Sequence, residues 1–253
     1  MPRPPVEKRD RPLSLTQFSL GDMLRCGTGV RRAAAGAETF EEAARRIVRF
    51  LYRAFRVGET PQFALVRFYR TQRYDQLEPG LQDFARSLLG DTRPPDELRC
   101  LTLMASAGIR DEWNDRRKSA GHRAIPLPSP EVVDRAPMIA QLIRQMGLEI
   151  EQVVAPSPSL LSALEGKTYN VFHVERARGS PYIPAQADFV VRYGIESVLG
   201  FGGLAADELF AIILFSTVPI PPEVATRFRN IALDVKSVLI GYRGNRIFEP
   251  SSA

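Results

Sequence analysis

The segment Glu208–Val218 (ELFAIILFSTV) is apolar at successive positions rather than alternate ones. A strand of that kind buries both faces, so the chain is expected to build a sheet with a covering layer on each side. Ile195–Phe201 (IESVLGF) reads as the strand before it, joined by a hairpin turn at Gly202–Asp207. Gln62–Arg70 (QFALVRFYR) and Leu98–Ala107 (LRCLTLMASA) have the same composition and read as buried strands. Tyr169–Glu175 alternates and reads as another, and Leu148–Val154 as a short one.

Helical periods lie between them. Thr39 and Glu42 form a capping-box pattern that opens a helix to about Arg56. Phe40, Ala44, Ile47, Leu51 and Phe55 share one face of it, and Arg45, Arg49 and Arg53 line another. Pro221 and Pro222 open a last helix to Tyr242, with Val224, Phe228, Ile231, Val235 and Val238 on one side. Residues 13–35 read as a helix interrupted near Gly27 and Gly29, and 75–89 as an amphipathic helix. Ser129 and Pro130 start a helix to Met146, and Ser159–Leu164 and Pro184–Tyr193 read as short ones. Residues 108–130 are polar, carry the single tryptophan and read as a long loop, the kind of segment that often carries function.

With 253 residues, 44% hydrophobic and 25% charged, the chain has the balance of a soluble globular protein. No proline-rich linker separates two cores, so one domain is expected over 13–242, after a disordered arm at 1–12 and before a flexible tail at 243–253. The longest unbroken apolar run, Leu209–Phe215, is about a third of what a membrane span needs. No apolar stretch follows Met1–Arg11, so no secretory signal is expected. Cys26 and Cys100 read as free thiols in a reducing, cytoplasmic setting.

Charge is unevenly spread. Residues 1–73 hold 15 basic and 7 acidic side chains, while 74–253 hold 19 and 22. Such a basic face attracts acidic partners; its simpler reading is a solvated helix surface. Nucleic acid is not expected there, because no aromatic interleaving or recognition motif accompanies the arginines.

Chemical motifs are sparse. Asp115, Ser119 and His122 hold the residue types of a nucleophilic site, but no G-x-S-x-G turn is present. His173 reads as a core or pocket histidine. Two histidines and two distant cysteines lack the paired spacing of a zinc site, so no metal is expected. Gly166-Lys167-Thr168 imitates the end of a phosphate loop, but the required upstream glycine is Leu161, and Gly166 reads as a helix stop. Gly200, Gly202 and Gly203 read as a hairpin with a bulge rather than a phosphate loop.

From 184 to 240 the order is helix, Tyr193-Gly194-Ile195, Ser197-Val198-Leu199-Gly200, turn, Leu209–Ser216, helix. With Phe189 in the short helix, this resembles the second half of a GAF domain, as found in sensory regions of bacterial signalling proteins, including the histidine kinases of two-component systems. The helix at 38–56 and strand at 62–70 agree in order, and the excess length falls in enlarged loops at 75–90 and 108–165. The resemblance implies an α+β fold with a central antiparallel sheet of about six strands, a ligand pocket on one face and a helical dimer face on the other. It also implies that loop 108–130 and segment 170–184 roof the sheet. Trp113, His122, Met138, His173 and Tyr182 would then line the pocket, with walls typical of a small-ligand site. Haem and bilin are bound by some GAF-like proteins, but the Cys-His pairing of bilin-attaching members is missing and the cofactor is left unassigned. GAF-like free methionine sulfoxide reductases use several grouped cysteines, unlike this chain with two.

The expected function is therefore a non-catalytic sensory or signalling module. It would bind a small ligand or a partner such as a kinase, form a homodimer through its terminal helices, and act through a separate output protein. The alternative is an interaction scaffold with a filled pocket, docking an acidic partner through Arg45, Arg49 and Arg53.

Overall fold

In the computed structural model, the described residues are 11–90, 92–156, 169–205, 207–242 and 246–249. Six strands form one antiparallel sheet: β1 Phe63–Arg73, β2 Arg99–Gly108, β3 Ala124–Pro126, β4 Phe172–Val174, β5 Ser197–Ala205 and β6 Glu208–Ser216. Their spatial order is β3-β2-β1-β6-β5-β4, so the doubly apolar β1 and β6 are the central pair. Every one of the ladders is antiparallel. Centre strands have neighbours on both sides and layers on both faces, which is why their apolar residues do not alternate with polar ones.

One face carries helices α1 (Leu20–Ala34), α2 (Phe40–Ala54) and α7 (Pro222–Ile240). α2 packs on β1 and β2, α7 on β5, and α1 lies across both helices. Phe18, Phe55, Phe63, Phe68, Phe201 and Phe228 are fully buried in this layer. The opposite face is roofed by α4 (Pro130–Asp134), α5 (Pro137–Gln145), α6 (Ile150–Val154), a π-helical turn at Gln186–Val191 and two 3-10 turns between β2 and β3. α3 (Pro79–Leu88) packs beside β3 with its own small cluster around Tyr74, Leu77 and Leu81.

Several expectations need correction. α1 runs unbroken through Gly27 and Gly29, because these glycines are contact points: a Cβ on Gly27 would meet Asp234, and one on Gly29 the Phe50 ring. The long helix from Pro130 is two helices, since Pro137 starts a new one after Ala136. Ile150–Val154 is helical rather than extended. Loop 108–130 is not featureless: it holds both 3-10 turns and β3, and it buries Arg116 and Ser119. β5 continues through Gly202 and Gly203 to Ala205 in unbroken register with β6, so the glycines lie within the strand and form no bulge. Thr39 Oγ accepts from Glu42 N at 3.1 Å as expected, but Glu42 caps Glu38 N rather than Thr39.

The tail does not simply fray after Tyr242. Phe40 and Glu41 donate their backbone N–H groups to Arg246 and Ile247, which docks this short stretch on the start of α2. The expected helix at Ser159–Leu164, the Gly166 stop, most of the N-terminal arm and the tail's end lie outside the described residues. No helix among the described residues is long and apolar enough to cross a membrane.

Candidate functional site

A cavity of about 410 Å³ opens between the sheet and its roof. Its floor is β1 and β6: Leu65, Arg67 and Tyr69 from one, Ile213 and Phe215 from the other. These floor residues share the roofed side of the sheet, while Val66, Phe68, Ile212 and Leu214 point to the helices. Period-two alternation thus fixes which side chains can reach a ligand.

The walls follow from local structure. Asn114 Nδ2 donates to the Gly108 and Arg110 carbonyls at 3.0 and 2.9 Å, and its Oδ1 accepts from Gly108 N at 3.1 Å. This closes the turn after β2 and sets Trp113 over the sheet. Gly108 is required there, since a Cβ would lie 2.8 Å from the indole and 2.7 Å from the Ala64 carbonyl. Trp113 meets Phe189 edge-on at 5.9 Å, and Phe189 meets Phe215 at 4.9 Å. The first turn of α5, Ala136 to Ile139, and the segment Ile183–Ala185 complete the rim.

Polar groups are few. Arg67 donates to Tyr69 Oη and to Ser119 Oγ, each at 3.2 Å. Ser119 Oγ in turn donates to the Gly121 carbonyl at 2.7 Å. His122 stands at the cavity mouth, exposed to solvent over part of its surface. That partial burial, and next the Arg67 guanidinium, hold its pKa below the ordinary 6.5. His122 also adopts φ 60°, a left-handed conformation uncommon outside glycine and often found at functional sites.

Of the five nominated ligand residues, Trp113, His122 and Met138 line the cavity. His173 does not. It pairs with Leu199, whose side chain faces the helices, so the imidazole lies on the opposite side of the sheet. Burial there lowers its pKa also. Tyr182 packs in the roof, but its neighbour Ile183 takes the cavity position. Arg67, Tyr69, Phe189 and Phe215 were missed. A signal for Arg67 is in the sequence: it is the charge inside FALVRFY, an otherwise apolar run.

The Asp115, Ser119 and His122 trio is not joined. Asp115 caps Arg117 N at 2.9 Å, and Ser119 engages Arg67 and Gly121. Neither thiol reaches the cavity. Cys26 is buried in the helix-side core and Cys100 beside α3, and burial raises both pKa values, that of Cys100 to about 12. No cluster of three metal-ligating side chains occurs among the described residues.

A second concavity of about 760 Å³ lies between α1 and α2 and is lined by seven arginines, among them Arg32, Arg46, Arg49 and Arg53. Arg49 and Arg53 are exposed and take part in no ion pair among the described residues. Arg45 is absent from it: its side chain turns to Glu249, 2.5 Å away, and Arg46 takes its place in the groove.

No family model matches the chain. No curated protein matches it. Among solved structures, it is similar to free methionine-R-sulfoxide reductase from Neisseria meningitidis, at 9% identity and a TM-score of 0.48, covering 88% of this chain and 91% of that one. It is also similar to the GAF domain of a phosphoenolpyruvate-protein phosphotransferase from Coxiella burnetii, at 12% identity and 0.43, covering 87% and 94%. The phycoerythrobilin-bound GAF domain of a cyanobacterial phytochrome matches at 10% and 0.40, covering 88% and 95%. The fold is GAF-like. Its own strand order, helices on one face and roofed cavity on the other carry that statement.

Proposed function

We propose that this protein is a non-catalytic sensory module that binds a small ligand between its sheet and roof and acts through a separate signalling protein. The cavity carries the reading. At about 410 Å³ it falls in the range of small-molecule sites, with apolar and aromatic walls and a few convergent polar groups. The reading as a sensor rather than an enzyme is supported by the two buried thiols and by the unjoined Ser119 and His122. The helical layer of α1, α2 and α7, across the sheet from the cavity, is the natural output surface, toward a kinase or a second copy of this chain.

Native mass spectrometry of the purified protein tests this. A co-purifying small molecule, lost from an Ala136→Phe variant that narrows the cavity rim, is the expected result. A bare wild-type protein that also shows no thermal shift across a metabolite panel would overturn it.

The arginine groove favours a second reading, an interaction scaffold. Arg49 and Arg53 stand free of carboxylates among the described residues, ready for an acidic partner. On that reading Arg49→Glu abolishes partner capture while leaving the melting temperature unchanged, and an unaltered capture would dismiss it.

A further inference from the structure

Within the cavity one side chain breaks the apolar pattern. Arg67 stands mid-strand in β1, between Leu65 and Tyr69 on the roofed face. A charge at the centre of a doubly covered strand is costly unless an opposite charge or full hydrogen bonding meets it. Arg67 has neither. Its two hydrogen bonds go to neutral hydroxyls, Tyr69 Oη and Ser119 Oγ. Its Nε is buried with no acceptor. None of the ion pairs among the described residues includes it, whereas Arg70, three positions on, pairs with Glu208.

Neighbouring groups carry the same sign or lack partners. Ser106 sits directly across the β1–β2 ladder from Arg67, on the same face, and its Oγ is buried without a hydrogen bond. α5 turns its first residues, Ala136 to Ile139, to the cavity, and no side chain caps that helix end. The helix dipole there adds positive potential to that of the guanidinium.

We propose that the cavity takes a small monocarboxylate with an aromatic or branched apolar body, its carboxylate on Arg67 and its body against Trp113, Phe189 and Ile213. This rests on reading the cavity as a ligand site. A guanidinium fork matches a planar carboxylate, and Nη1 and Nη2 each spend one N–H on a hydroxyl and keep a second. One cation also fits one negative charge. A dianionic phosphate would bring a second full charge among Leu65, Ile213 and Phe215, and the described lining holds no second arginine or lysine to pair with it.

Trp113 is the single tryptophan, so its emission reports on the cavity. The full chain is titrated with 3-phenylpropionate and 4-methylpentanoate, each beside its neutral amide, in wild type, Arg67→Leu and Arg67→Lys. In wild type the carboxylates should shift Trp113 emission saturably and bind at least about tenfold more tightly than the amides. Arg67→Leu should erase that preference, so that each acid binds no more tightly than its amide. Arg67→Lys should retain part of it, and it decides the matter if Arg67→Leu fails to fold. Equal binding of acid and amide to wild type would overturn the carboxylate assignment and leave the cavity standing as a ligand site. Silence from all four probes would count against both.

Discussion

His122 shows how much of the site is decided by single residues. The imidazole sits at the cavity mouth, flanked by the Ser119–Gly121 turn and facing Arg67. Burial first, then the guanidinium, favour the neutral ring. In a two-dimensional NMR titration His122 should therefore have a midpoint below 6.5, and Arg67→Leu should move it upward while leaving His173 in place. An unchanged midpoint would mean that Arg67 does not face the ring. The sign for stability follows. Both histidines are depressed in the folded chain, so below about 6.5 the unfolded chain takes up protons before the folded one does. Stability should thus fall as the pH drops from 6.5 toward the folded midpoints, and urea unfolding at stepped pH values measures it. Trp113, His122 and Met138 lie on segments that the sequence marks as distinct, a polar loop and an amphipathic helix. His173 was misplaced because the face a strand residue takes depends on register with its neighbour, and register is not written in one strand alone.

At the scale of elements, long periodic segments were legible and short ones were not. α2, α7, β1, β2 and β6 each carry enough residues for a period to show. β3 has three residues, one of them Pro126, and α6 has five, so tertiary contacts rather than pattern decide their form. Glycines were read as breaks, yet here several are points of close approach. The two cases differ in what stands opposite. A methyl on Gly29 meets the Phe50 ring, which borders the open arginine groove and can swing into it. A methyl on Gly202 meets the Phe210 carbonyl and the Ala211 Cα, which are backbone of the adjoining strand and cannot yield without breaking the ladder. Gly202→Ala should therefore cost about 2–3 kcal/mol and Gly29→Ala about 1 kcal/mol or less, by chemical denaturation. A reversal of that order would show that the helical layer is the more tightly fitted of the two.

Across the whole molecule, the feature that ties distant parts together is an ion triad no local pattern could reveal. Arg116, from the loop between β2 and β3, makes a two-point pair with Glu41 at 2.6 and 2.9 Å, across a sequence gap of 75 residues. It also pairs with Glu78 at 2.7 Å, just before α3. Glu41 accepts the Glu249 backbone N–H at 3.0 Å, and the Phe248 ring lies 5.1 Å beneath the guanidinium. One buried group thus holds the polar loop, α2, the approach to α3 and the docked tail. A loop rich in charge reads as solvated from sequence, because nothing in residues 108–130 announces that one of its arginines has carboxylates waiting elsewhere. Such networks are weak evidence for net stability but costly to break on one side, since the stranded carboxylate stays buried. Arg116→Met should therefore destabilise the chain by about 3–5 kcal/mol in urea. Adding Glu41→Leu should recover much of that loss, because the most buried pair is then replaced by apolar volume and only the more exposed Glu78 is left without its partner. The loop holding Trp113 should loosen in the single variant and recover in the double, read as hydrogen exchange at 110–122. A single variant as stable as wild type would mean that water already reaches Glu41, and the loop would owe its position to the Asn114 turn alone.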